Sequence, residues 1–329
     1  MKTLSIIAIL AIVATVFVTY SGSSYNSFEL FLAEHKKNYN SVNEYEFRKA
    51  VFEENQQVID MHNTEGHSFT LAMNKFGDLT LEEFKNMLGY TPSKKHVAPK
   101  NYGMQVAKSD ETTDWEAEGK VSPIKNQGSC GSCWAFSAVG ALEAAHAIAG
   151  NSDIQEFSEQ QLVDCSKTRY NSGCNGGEMF SAFEWYQDHT ACTEDDYPYH
   201  ARDETCVDSG CSTSGTGAGN VASHNLFEKD DPSILHAEIK HAPHSLGISA
   251  GNDYFRFYSD GELDAEACPH SLDHGVLLVG YIAERDAWKV KNSWGTSWGE
   301  SGYIYIKDNH KVSPGICGVN MEISRPILK

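Results

Sequence analysis

Gln127-Gly128-Ser129-Cys130-Gly131-Ser132-Cys133-Trp134 is the run from which the rest of the chain can be read. It leads into a helix: from Cys133 to Ile148 apolar residues recur at 134, 138, 141, 142, 145 and 148, and Gly150-Asn151 marks the end. A cysteine at such a start meets unsatisfied amide groups and the positive end of the helix dipole. Both favour an anion and lower the thiol pKa. Gln127 stands just upstream as an oxyanion donor. Far downstream, Asp273-His274-Gly275 and Lys291-Asn292-Ser293-Trp294-Gly295 supply an imidazole and a carboxamide. A cysteine nucleophile needs those two groups for activation and alignment.

The nine cysteines stand at 130, 133, 165, 174, 192, 206, 211, 268 and 317. Residues 4 to 18 form an apolar run between Lys2 and the small residues Ser21 to Ser24, the pattern of a secretory signal peptide. The run is short of the roughly 20 residues a spanning helix needs, so no membrane span is expected. Secretion favours disulfides, and an odd count leaves one thiol over, most simply for a reactive role. Taken alone, Cys130-x-x-Cys133 could also be a redox pair or half a zinc site. Cys165 and Cys174 are too far apart in sequence for the second half of a zinc site, no His pair has suitable spacing, and no βαβ pattern surrounds the motif. We expect neither a metal nor a cofactor.

The net charge of −19 is unevenly placed: residues 109–329 hold 15 Lys and Arg against 34 Asp and Glu, while residues 1–108 hold 11 of each. That balance argues against nucleic acid as a partner. It suits a protein working in acid, or simply a soluble one.

The three segments carrying cysteine, histidine and asparagine resemble the papain-like cysteine peptidases, and the part before them resembles the propeptides of the cathepsin L-like subgroup. There Ser41-x-x-Glu44 makes a capping box. Glu44, Arg48, Phe52, Asn55, Ile59 and Asn63 follow on one helical face, alternating charged, aromatic and amide residues where an ordinary amphipathic helix would be apolar. That stripe reproduces the pattern named from its letters in those propeptides. Ala72-x-Asn74-x-Phe76-x-Asp78 resembles their second motif, with Ala72 where glycine is commoner. The stretch Met73 to Thr80 reads as a short strand and turn before a helix over Leu81 to Leu88. From Thr91 to Asp110 periodicity is lost and a linker is expected.

After the linker, Ser158-x-x-Gln161 reads as a second capping box, and Met179, Phe180, Phe183 and Tyr186 mark a third helix. Past Gly247 the signals change to strand over Gly275 to Tyr281, Trp288 to Asn292 and Gly302 to Lys307. The expected fold class is therefore α+β, a helical half and a β-rich, barrel-like half with a cleft between them. Three segments follow: a signal peptide over 1–23, an inhibitory propeptide over 24–108 and a mature peptidase domain over 109–329.

The resemblance implies an endopeptidase made as an inactive precursor that acid activates. In it Cys133 is the nucleophile, His274 the acid and base, and Asn292 the group that orients His274. Gln127 with the Cys133 amide forms the oxyanion hole, and Trp294 shields the His274–Asn292 bond. The resemblance also pairs Cys130 with Cys174, Cys165 with Cys206 and Cys268 with Cys317. Cys192 and Cys211 are left for a further bridge. Gly176 and Gly177 are implied to bind extended substrate through their backbone. Met179, Gly247 and Gly275 would line the pocket for the residue second from the scissile bond, with Glu178 at its lip and Glu322 at its floor, where it would admit arginine. The linker is implied to cross the cleft in the reverse of substrate direction, and Asp78 and the pro-helix glutamates to be triggers of acid release. The partners expected are protein and peptide substrates and the chain's own propeptide, acting on a monomer in the secretory pathway, in a lysosome or vacuole or outside the cell. A catalytically dead binder, a thiol redox protein and an exopeptidase are the rival readings. The intact Cys133, His274, Asn292 and Gln127 oppose the first, and the lack of a long insertion between Cys206 and Gly247 opposes the last.

Overall fold

The computed structural model describes residues 28–90, 92, 110–207, 211, 221–227, 232–309 and 314–329. The expected signal peptide and most of the expected linker lie outside them.

The first part is built on α1 (Phe28–His35) and the long α2 (Val42–Thr64), whose N-cap Ser41 accepts from the Glu44 N–H at 3.2 Å. The mixed stripe of α2 has a physical reason. Phe52 and Ile59 are buried in the core, while the amides of the stripe satisfy backbone of the turn and short strand that follow. Asn55 Nδ2 donates to the Gly77 and Leu79 carbonyls at 2.8 and 3.1 Å, and Asn63 brackets Leu71, donating to its carbonyl and accepting from its N–H. Arg48 pairs with Glu83 at 2.7 Å and reaches the Asp78 carbonyl. These bonds fix β1 (Phe69–Leu71) and the turn that leads to α3 (Leu81–Lys85). The short strand thus lies ahead of Met73 to Thr80, where the sequence placed it. Its partner is a strand nearly 200 residues away, which no local pattern announces. α3 also stops at Lys85, and Thr80 and Glu83 form a complete capping box that the sequence reading missed.

The second part begins with β2 (Thr113–Asp114) and a helical half of α4 (Cys133–Ala149), α5 (Glu159–Cys165) and α6 (Met179–Tyr186). Ser158 caps α5 by accepting from Gln161 N–H, but the Gln161 side chain turns to Thr190 and Cys192 instead of returning to the cap. Then follow β3 (Val221–Phe227), α7 (Pro232–Glu238), β4 (His244–Ile248), α8 (Asp253–Arg256), β5 (Tyr258–Leu263), β6 (His274–Ile282), β7 (Ala287–Lys291), β8 (Tyr303–Lys307) and β9 (Ile323–Leu328). Among the described residues these strands form one sheet in the order β1-β5-β8-β7-β6-β4-β9-β3, with β2 also on β6. β5 and β8 pair in parallel and the other neighbours are antiparallel. The fold is α+β, a helical half beside a β-rich half.

Two apolar clusters form the core. One gathers α4, α5 and α6 with the inner face of β6. The other joins Phe31, Phe52, Phe76 and Phe84 of the first part to Phe255, Trp294 and Trp298 of the second, so both parts share one desolvated core. Disulfides join Cys130 to Cys174, Cys165 to Cys206, Cys192 to Cys211 and Cys268 to Cys317, and Cys133 is free.

Candidate active site

The helical half brings Cys133 to the cleft as the first residue of α4, and the β-rich half brings His274 at the start of β6 and Asn292 just beyond β7. β6 and β7 are antiparallel neighbours, so their facing ends put histidine and asparagine side by side. His274 Nε2 lies 2.8 Å from Asn292 Oδ1. That bond makes Nε2 the protonated nitrogen and leaves Nδ1, which has no hydrogen-bond partner, as the acceptor nitrogen. The Trp294 ring lies against the imidazole, tilted, with centroids 4.7 Å apart.

Gln127 is held rigidly. Its backbone N–H donates to the Ser293 carbonyl at 2.9 Å, its Oε1 accepts from Ser293 Oγ at 2.7 Å, and its Nε2 donates to the Cys130 carbonyl at 3.0 Å. The Tyr199 hydroxyl adds a bond to the Gln127 carbonyl and contacts Ser132 Oγ. Sequence reasoning missed Ser293 and Tyr199; Ser293 was in view as the neighbour of Asn292.

The cleft is filled by the chain's own first part. Gly177 N–H donates to the Gly89 carbonyl at 2.9 Å, Tyr90 N–H donates to the Asp273 carbonyl at 3.2 Å, and Tyr90 pairs with Gly177 in parallel sense. Gly89 lies so close to the wall that a Cβ on it would stand 1.8 Å from the Gly131 carbonyl oxygen. The residues in the cleft are thus Gly89 and Tyr90, one step before the linker expected there. Residues 91 and 93–109 lie outside the described ones.

The Tyr90 side chain enters the pocket expected for the second residue from the scissile bond. Gly247 and Gly275 face each other in the β4–β6 register, and a Cβ on Gly247 would meet the tyrosine ring at 2.8 Å. A Cβ on Gly275 would meet Met179 Sδ at 3.2 Å. Leu272 and Met321 complete the walls, two residues no motif marked. Burial holds the Tyr90 phenol well above its ordinary pKa, and the Glu322 charge adds to that. Glu178, expected at the lip, is buried instead: its N–H is tied to Asn171 Oδ1 at 2.9 Å, and its carboxylate also acts on the Tyr90 phenol. Gly176 abuts the Gly89 carbonyl, where a Cβ would come within 2.7 Å.

Covering the site changes its charges. Burial pushes the Cys133 thiol up to about 11, against the N–H groups of Gly275, Gly89 and Trp134, which pull it down. Burial likewise pushes His274 down to about 4, against the bond to Asn292. The covered pair is a neutral thiol and a neutral imidazole, where the helix start had suggested a lowered thiol pKa. Both displacements have desolvation as their largest cause, so uncovering removes it and leaves the Gly275 and Trp134 amides, which favour the thiolate.

A family model described as the papain family cysteine protease matches residues 109–327, and one described as the cathepsin propeptide inhibitor domain (I29) matches residues 28–84. The chain is 41% identical over 312 residues to the probable cysteine protease RD21B of Arabidopsis thaliana, covering 92% of this chain and 66% of that one. It spans about two thirds of the length of such plant relatives. It is 39% identical over 312 residues to digestive cysteine proteinase 2 of Homarus americanus, covering 92% and 94%. The proform of the ragweed Amb a 11 cysteine protease superposes with a TM-score of 0.79 at 34% identity, covering 92% of this chain and 94% of that one. Digestive procathepsin L2 of Tenebrio molitor does so at 0.79 and 32%, covering 91% and 98%. Among the described residues, no helix is long and apolar enough to cross a membrane.

Proposed function

Because the chain belongs to the papain family of cysteine proteases and carries its propeptide inhibitor domain, we propose that residues 109–329 are an endopeptidase with Cys133 as nucleophile, released from a self-inhibited precursor in acid. One observation carries this reading. The single free cysteine stands at a helix start across the cleft from a histidine bonded to an asparagine at 2.8 Å.

The chemistry follows from the groups present. With the cleft open, the Cys133 proton moves to His274 Nδ1 and the thiolate attacks the peptide carbonyl carbon. The carbonyl oxygen gains the negative charge, held by Gln127 Nε2 and the Cys133 N–H, the amide of Gln127 being set by Ser293. The tetrahedral species collapses, the C–N bond breaks, and His274 gives its proton to the departing amine, leaving a thioester. Water then attacks the thioester with His274 as base, and a second collapse frees the carboxylic acid and the thiol. Asn292 holds the imidazole in one tautomer throughout. Gly176 and Gly177 offer backbone to an extended substrate, as Gly177 offers it to Gly89 here.

The precursor is removed in two stages, residues 1–23 on export and 24–108 on activation, and the mature enzyme works as a monomer. Four disulfides support a secretory route to a lysosome or vacuole or out of the cell. Acid release is supported by carboxylates engaged within the inhibitory part: Asp78 is bound by Lys37 and Tyr39, and Glu83 by Arg48.

The test is to acidify purified precursor and profile cleavage of a peptide library with and without a thiol-alkylating peptide epoxide. Epoxide-sensitive endoproteolysis with one label at Cys133, absent in Cys133→Ala, is the expected result. Cleavage by Cys133→Ala at the wild-type rate would overturn the assignment.

A further inference from the structure

The Lys125 ammonium is ringed by carboxylates, Glu159 at 2.8 Å, Glu143 at 3.0 Å and Glu156 at 3.6 Å, with the Phe157 carbonyl at 3.4 Å. Its donors are used up there. Lys291 is taken by Ser122, donating to its carbonyl and hydroxyl at 2.7 and 2.9 Å. Negative charge is therefore left over, and it collects on two oxygens: Glu159 Oε2 and Glu194 Oε2 are buried and have no hydrogen-bond partner among the described residues. Glu159 is 1% exposed. The other oxygen of each is engaged, that of Glu159 by Lys125 and that of Glu194 by the Tyr199 N–H at 2.9 Å. A desolvated carboxylate oxygen is costly without a donor.

Both glutamates line a pocket of about 230 Å³ together with Phe136 and Tyr199, whose rings meet edge to face at 4.8 Å. The Tyr199 hydroxyl already donates to the Gln127 carbonyl at 2.8 Å and contacts Ser132 Oγ, so the ring offers the pocket a face and no donor. Cys133, His274 and Asn292 are not among the walls.

We propose that this pocket binds a primary alkylammonium, a lysine side chain or a free aliphatic amine, with its head on Glu159 and Glu194 and its methylenes along Phe136 and Tyr199. Aromatic walls suit an alkyl stem and a cation, and add nothing for a bare metal ion. A guanidinium fork is matched by the two oxygens of one carboxylate, whereas here each carboxylate has a single oxygen to give. A compact ammonium with three donors fits that division. Burial is the largest cause holding both glutamates above the ordinary carboxylate range, against the pull of Lys125. The ligand binds their ionised forms, so affinity should fall as acid protonates them. Binding there needs no catalysis, and the peptidase reading is not at stake in it.

The test is calorimetric titration of the intact Cys133→Ala precursor at constant ionic strength with n-butylammonium, n-butylguanidinium and 1-butanol, with and without Glu194→Gln. The glutamine keeps an oxygen for the Tyr199 N–H, so the local fold is retained. Saturable binding of butylammonium, weaker at about pH 5 than at about pH 7.5 and at least about tenfold weaker in Glu194→Gln, is the expected result, with no binding of butanol. Absence of saturable heat, equal affinity in the glutamine variant, equal affinity at the two pH values, or tighter binding of butylguanidinium would each overturn the proposal. Nα-acetyl-lysine methylamide separates the two sources. Affinity within a few-fold of butylammonium supports a lysine side chain as the occupant, and binding of the free amine alone supports a small aliphatic amine.

Discussion

The Gly89 carbonyl accepts from the Gly177 N–H at 2.9 Å, while the space where a Gly89 side chain would begin is already taken by the Gly131 carbonyl. The two parts of the chain thus meet backbone to backbone beside the thiol, and the contact tolerates no added atom.

Replacing Gly89 by Ala should therefore unseat the segment without disturbing the fold of either part. A Cβ 1.8 Å from an oxygen cannot be accommodated by a side-chain adjustment, because the obstructing atom is backbone. Alkylation of Cys133 in the intact Gly89→Ala precursor should be at least about tenfold faster than in wild type, the effect of removing a steric cover. An unchanged rate would mean that the thiol is guarded by something else.

Ser293→Ala should lower turnover while leaving binding nearly intact. The serine hydroxyl donates to Gln127 Oε1 at 2.7 Å in a buried site, and its loss frees the amide that must meet the developing oxyanion. About 1 kcal/mol for one such bond corresponds to a five- to tenfold fall in kcat. A fall confined to KM would show that Gln127 binds substrate and does not stabilise charge.

Acid should loosen the inhibitory part through groups beyond the pro-helix glutamates suggested by sequence. His62 is buried, stacked at 4.2 Å on His67, with the Phe69 ring tilted against it at 4.5 Å and Tyr254 of the mature part at 6.0 Å. Its pKa lies below the ordinary 6.5 chiefly through burial, with the Phe69 carbonyl and Glu65 opposing and His67 adding to the effect. Glu83 lies below 4.5, chiefly through its bond to Arg48. Both groups take up protons when the part unfolds, so both stabilise it at high pH and lose that contribution as pH falls. The His62 contribution is whole above about 6.5 and declines below it, and that of Glu83 declines from about 4.5 downward. Urea midpoints of the Cys133→Ala precursor should drop between pH 7 and 5, with a smaller drop in His62→Gln. Identical profiles would exclude His62.

Removing the Cys268–Cys317 bridge by a double alanine substitution should cost about 4 kcal/mol, since it closes a long loop in the unfolded chain, and the loss should be read as a lower urea midpoint with a steeper slope. The bridge lies next to the pocket, where the Cys317 carbonyl accepts from Ser249 N–H, so substrate selection should degrade with it. Full retention of the wild-type preference at the second substrate position in the double variant would show that β4 holds the pocket unaided.

The pieces of this protein that the sequence determined by itself are those whose signal is local. The period of apolar residues drew α4 almost to its last residue, and Ser41 and Ser158 marked helix starts, because a helix is closed by bonds between near neighbours. The mixed stripe of α2 was legible as a departure from an apolar face, and its amides serve the backbone of the turn and of β1. An odd cysteine count pointed to a lone thiol because it is a property of composition.

Tertiary structure alone decided what fills the cleft and what state the site is in. β1 finds its register on β5, and Tyr90 finds Gly247, Leu272 and Glu322, across separations that leave no periodic trace. The neutral thiol and imidazole could not be foreseen from the helix start, since the amides that favour a thiolate are present in the sequence while the water removed by Gly89 and Tyr90 is not. Desolvation depends on everything packed around a group, so it belongs to the folded molecule and to no segment of it.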